Sequence, residues 1–83
     1  MVHPGYNLKH AVTIELIGGP RDGDQLLYFD EPETFLDRRW CGGRQWKEHW
    51  WRRRDVCGLP AYAVRDTEIV LLMDFVRTII VER

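Results

Sequence analysis

The four tryptophans of this chain, Trp40, Trp46, Trp50 and Trp51, all fall within residues 38–54, RRWCGGRQWKEHWWRRR. Seven cations are interleaved with them: Arg38, Arg39, Arg44, Lys47, Arg52, Arg53 and Arg54. Indoles and guanidinium groups together suit two kinds of recognition. Protein interfaces concentrate binding energy in Trp and Arg, which cover large areas with few soft torsions. Single-stranded nucleic acids are held by cations on the phosphates and aromatic rings stacked on the bases. Part of the set must also serve the fold, because a small domain needs large side chains to close its core, with arginine stems laid over the rings. Trp46, Trp50 and Trp51, with Arg44, Lys47, Arg52, Arg53 and Arg54, are therefore the candidate binding residues.

Nucleophilic and metal chemistry have thinner support. The thiols are Cys41 and Cys57, and the imidazoles are His3, His10 and His49. His49 stands midway between the two cysteines, but no local signature of a Cys–His nucleophile surrounds it. Structural zinc sites pair ligands two to four residues apart, and Cys41, His49 and Cys57 are spaced too widely for that. A Cys41–Cys57 disulfide is the alternative to free thiols. It needs an oxidising compartment, whereas the opening MVHPGYNLKH carries no basic-then-apolar export leader. Asp22, Asp24, Asp30 and Glu31 lack the alternation of a calcium loop and read as solvated turns. The glycine-rich stretch Gly18-Gly19-Pro20-Arg21-Asp22-Gly23 has no Lys, Ser or Thr at its end to receive a phosphate, and reads as a connection between strands. The expectation is two free thiols, no metal, no cofactor and no enzymatic activity.

The elements that must position these groups are mostly strands. Val12, Ile14 and Leu16 alternate with Thr13 and Glu15 over Ala11 to Ile17, a strand with one buried face. Gln25 to Phe29 is a second strand, so residues 11–30 form an antiparallel hairpin around the glycine-rich turn. Pro32 ends it. Residues 31–60 read as an irregular or helical insertion, in which Gln45 to Arg54 makes about three turns of helix. That helix stacks Trp46 on Trp50 and sets Glu48 against Arg52, with Gly42-Gly43 and Gly58-Leu59-Pro60 as its stops. Ala61 to Arg65 is a strand with Tyr62 and Val64 on one face. Residues 68–80 fit either an apolar helical stripe or two short strands around a bend, and β-branching favours strands. The expected fold is a mainly β single domain over residues 1–83: a small antiparallel sheet with an N-terminal hairpin and one short central helix, α+β if residues 68–80 are helical.

Charge is distributed unevenly along the 83 residues. Residues 1–37 carry a net of −5, residues 38–54 a net of +6 and residues 55–83 a net of −2, so the overall −1 is a cancellation of opposite patches. The length rules out a two-lobed enzyme with a cleft between domains. Ile69 to Met73 is the longest apolar run near the C-terminus, well short of the roughly 20 residues of a membrane span.

Ile14-Glu15-Leu16-Ile17-Gly18-Gly19-Pro20-Arg21-Asp22-Gly23-Asp24, with Tyr62-Ala63-Val64-Arg65 much later, resembles a loose group of small proteins of actinobacterial phages and prophages. Those open with a strand ending in Gly-Gly-Pro-x-Asp-Gly and close with a Tyr-x-x-Arg strand and a final strand. The match covers about a third of the chain. It implies a phage setting, in the host cytoplasm or the virion, and a small β fold, but no activity. The Trp/Arg segment and the apolar tail Ile69 to Val81 depart from the group's pattern. The function expected is binding of a host or phage protein, as an accessory component or an inhibitor, with self-association open to it. The rival reading is a single-stranded nucleic acid binder. Acidic flanks weigh against a continuous phosphate footprint.

Overall fold

The computed structural model describes residues 11–82 and contains strands throughout, with no helix among them. The strands are β1 (Ala11–Ile17), β2 (Gln25–Phe29), β3 (Thr34–Gly42), β4 (Gln45–Arg53), β5 (Asp55–Val56), β6 (Leu59–Pro60), β7 (Tyr62–Arg65) and β8 (Glu68–Glu82). One curled sheet runs in the order β2-β1-β8-β4-β3, with β7 also paired to β8, and β5 and β6 form a separate small ribbon. The mainly β reading and the N-terminal hairpin hold: β1 and β2 are antiparallel, Ala11 opposite Phe29 through Glu15 opposite Gln25.

Two expectations are corrected. Residues 45–53 are not helical but form β4, the strand between β3 and β8. With them the supposed irregular insertion becomes part of the sheet. The Trp46–Trp50 spacing of four misleads because it puts both rings on one face of a helix and also on one face of a strand. Gly42 and Gly43 are the corner of the β3–β4 hairpin rather than a helix stop, with φ of 112° and 57° that only glycine adopts freely. Glu48 consequently faces Arg38 across the ladder instead of Arg52 one turn on. Residues 68–82 form one continuous strand of 15 residues. Its bend is a bulge, where Trp50 and Trp51 of β4 oppose Arg77 and Phe75 and leave Val76 over.

β8 organises the molecule. On one side it meets β7 through Glu68–Leu71 and then β4 through Met73–Glu82. On the other it meets only β1, in parallel, through Val70–Asp74. The parallel step is possible because the chain crosses from β1 to β8 through β2, β3 and β4. The inner face of the curl holds the core: Ile14, Leu16, Trp51, Leu71 and Met73 are fully buried, with Val12, Leu26, Phe35 and Phe75 packed around them. Closure is visible at the rim. Tyr28 of β2 meets Phe35 of β3 edge-on with ring centroids 5.9 Å apart, so the two end strands of the sheet approach each other. The β1–β2 turn closes as its sequence requires. Gly18 N–H donates to Asp22 at 2.5 Å, Gly23 N–H to the Leu16 carbonyl at 2.7 Å, and Gly23 takes φ 89°.

Candidate functional site

Alternation along β4 divides the candidate residues between two faces. Trp51 lies on the inner face, fully buried against Phe35 and Phe75 with centroids 5.9 and 5.3 Å away. It is core, not contact surface. Lys47 and Arg53 share its side of the strand by the same alternation, whereas Trp46, Trp50 and Arg52 lie on the outer face. Arg44 sits in the β3–β4 turn and Arg54 follows the end of β4. The segment read as one patch is therefore two surfaces and a core plug.

The cations divide by partner as well. Arg38 meets Glu48 at 2.8 Å, Arg39 meets Asp37 at 3.1 Å, Arg53 meets Asp55 at 2.8 Å and Arg54 meets Asp74 at 2.6 Å. The Asp74 contact is two-pronged, from Nε and Nη2, and raises the Arg54 guanidinium above its ordinary value; Asp55 does the same for Arg53. These four are tied into the fold. Among the described residues, no carboxylate pairs with Arg44, Lys47 or Arg52, nor with Arg77 of β8.

The outer face of β3, β4 and β8 is built in rungs. Leu36, Trp50 and Arg77 form one, Arg38, Glu48 and Ile79 the next, and Trp40, Trp46 and Val81 the last. Trp46 and Trp50 are half-buried, and Trp40 is 62% exposed with its Nε1–H on the Gly43 carbonyl at 2.9 Å. Trp50 keeps its own Nε1–H out of solvent with no acceptor among the described residues. At the bulge, Trp50 lines a cavity of about 300 Å³ with Glu33, Thr34, Trp51, Arg52, Val76 and Arg77. That volume accommodates one or two side chains of a partner. The two unpaired guanidinium groups border it and the indole supplies an apolar wall.

Arg77 and Val76 were not recognisable from the sequence as site residues. The available signal was a lone cation inside a β-branched run, Val76-Arg77-Thr78-Ile79, but only the register of β8 against β4 brings it beside Trp50.

The thiols and histidines do not converge. Cys41 and Cys57 are free and exposed, Cys41 near the end of β3 and Cys57 in the β5–β6 turn. His49 has its Nδ1 2.7 Å from the Thr78 hydroxyl. No group of three metal-binding side chains occurs among the described residues, and His3 and His10 lie outside them. On the far half of the sheet Glu15, expected to face solvent, is buried beneath Arg65 and Gln25. The Gln25 amide, then the Arg65 guanidinium, hold its carboxyl below the ordinary value. No helix among the described residues is long and apolar enough to cross a membrane.

Compared with protein-family models, curated proteins and solved structures, the chain matches none.

Proposed function

We propose that this chain is a non-enzymatic phage protein that binds another protein, of host or phage, through the outer face of β3, β4 and β8. Trp46 and Trp50 are the anchors, with Arg52 and Arg77 flanking the cavity beside Trp50. Such a pairing recognises an acidic side chain next to an apolar one, the guanidiniums taking the carboxylate and the indole the hydrocarbon. One observation carries the reading: Arg52 and Arg77 border the same cavity as Trp50 and make no ion pair among the described residues, although Asp55 feels the charge of Arg52 and Glu33 lines the same cavity. Cations without an ion pair beside a half-buried indole are available to a partner, whereas Arg38, Arg39, Arg53 and Arg54 would first have to give up a carboxylate.

The same face speaks against nucleic acid. Glu33 lines the cavity beside Trp50, and Glu48 between the two indoles neutralises Arg38, so a phosphate chain tracking the indoles would meet a carboxylate and no continuous run of free cations. The test is capture from host lysate by the immobilised chain and by an Arg52→Glu/Arg77→Glu variant of equal melting temperature. A protein retained by the first and lost from the second is the expected result, with salt weakening it. Tryptophan quenching by a single-stranded oligonucleotide, steep in salt and abolished by the same variant, would overturn the reading in favour of nucleic acid.

A further inference from the structure

β8 has an open edge. β4 covers one side of it as far as Glu82, but β1 leaves the other side after Asp74, where Ile17 gives way to Gly18 and the chain turns off over Phe75. From Val76 to Glu82 no described residue pairs with that side. Every second peptide group there offers a donor and an acceptor to solvent in a strand of about 23 Å. Natural sheets blunt such edges with lysine, proline, inward charges or a covering loop. This one is Val76-Arg77-Thr78-Ile79-Ile80-Val81-Glu82, without lysine or proline, and Val76 and Ile80 are 52% and 63% exposed.

The other free edges are managed. β3 carries Asp37, Arg38 and Arg39 and a bulge between Trp40 and Gly42, β2 converges on β3 at Tyr28 and Phe35, and β7 is only four residues long. Among the described residues the open β8 edge is mostly apolar, with Arg77 and Glu82 its charges, and its complement is a second copy of itself. Antiparallel pairing about a two-fold axis at Ile79, the midpoint of the open stretch, sets Ile79 against Ile79 of a second copy and Thr78 against Ile80. Arg77 then lies beside the second copy's Val81, with the two Arg77 residues held roughly 13 Å apart along the strands, so no like charges meet. The outer rungs join across the axis, Glu48–Ile79 continuing into Ile79–Glu48 and Trp46–Val81 into the Arg77 stem. We infer that this chain forms a two-fold dimer by adding β8 of one copy to β8 of another. This does not rest on the partner surface proposed above, and it would present two such surfaces on one continuous sheet.

The test is light scattering after size exclusion over a dilution series of the full chain, with amide hydrogen exchange on the same samples. The expected mass is twice the 9.9 kDa of the chain, falling to the monomer on dilution as amides between Val76 and Glu82 lose protection. Ile80→Lys sets two cations near each other across the axis and is expected to leave a folded monomer at every concentration. Val64→Lys, at an exposed site on β7, is the control and stays dimeric. Should Ile80→Lys not fold, Val76→Glu, which sets a carboxylate directly opposite Glu82 of the second copy, carries the same test. A monomer at all concentrations overturns the inference. So does a dimer that survives both charged variants, or one whose protected amides lie outside β8.

Discussion

The indole Nε1–H of Trp51 donates to the carbonyl oxygen of Gly18 at 3.0 Å, joining residues 33 positions apart. It fastens the middle of β4 to the turn that ends β1, directly over the Phe75 ring. The turn can lie that close only because residue 19 has no side chain. A Cβ on Gly19 would sit 2.4 Å from the Phe75 ring, and its φ of 75° already disfavours any other residue. Gly19→Ala is therefore expected to destabilise by about 1–3 kcal/mol. Gly23→Ala, with open space around the added carbon but φ 89°, is expected to cost no more than about 1 kcal/mol. Urea unfolding of the two variants checks the ordering.

Trp50 gives a contrary expectation. Its Nε1–H is buried without an acceptor, so removing that donor relieves a desolvation penalty while shrinking the ring. Trp50→Phe should unfold within about 1 kcal/mol of the native chain. Trp51→Phe loses a satisfied hydrogen bond and core volume together, and should cost at least about 2 kcal/mol.

Glu15 makes stability depend on acid. Its carboxyl is held below the ordinary value by the Gln25 amide and then by Arg65, so the folded state binds its proton less readily than the unfolded chain. The associated stability is complete above the ordinary carboxylate range and is lost as pH falls through that range toward the depressed value. Melting temperatures measured from neutral pH downward should fall less for Glu15→Gln than for the native chain. Asp55, lowered by Arg53, titrates in the same direction, so Asp55→Asn should flatten the acid limb too.

Charge substitutions should separate structural cations from free ones. Arg38→Ala leaves the buried carboxylate of Glu48 without its guanidinium and is expected to cost about 1–3 kcal/mol. Arg44→Ala and Lys47→Ala, which break no ion pair among the described residues, should stay within about 0.5 kcal/mol. Denaturant midpoints at fixed salt test the contrast.

The N-terminal hairpin was legible because β1 alternates with period two and its turn spells its own geometry in Gly18, Gly19, Asp22 and Gly23, whereas the apolar spacing of residues 68–80 fits a helix as well as strands. The centre was not. Trp46 and Trp50 share a face at either period, and Glu48 has a cation at helical spacing as well as across the ladder. Gly42-Gly43 punctuates a hairpin as readily as a helix. The corners at Cys57-Gly58 and Asp66-Thr67, all at positive φ, were the neglected signal that the intervening pieces were hairpins. As for the site, composition located the tryptophans and arginines, but their division depended on long-range register. Only the ladder of β4 with β8 sends Trp51 inward and sets Arg77 beside Trp50.

That division is tested most directly by measuring unfolding midpoint and partner capture side by side for Trp50→Ala and Trp51→Ala. Trp51→Ala is predicted to lose about 3–5 kcal/mol and to fail as a folded protein. Trp50→Ala is predicted to remain folded and to release the protein that the native chain retains. If Trp50→Ala stays folded and still retains that protein, or unfolds as Trp51→Ala does, the outer face of β4 is not the contact surface.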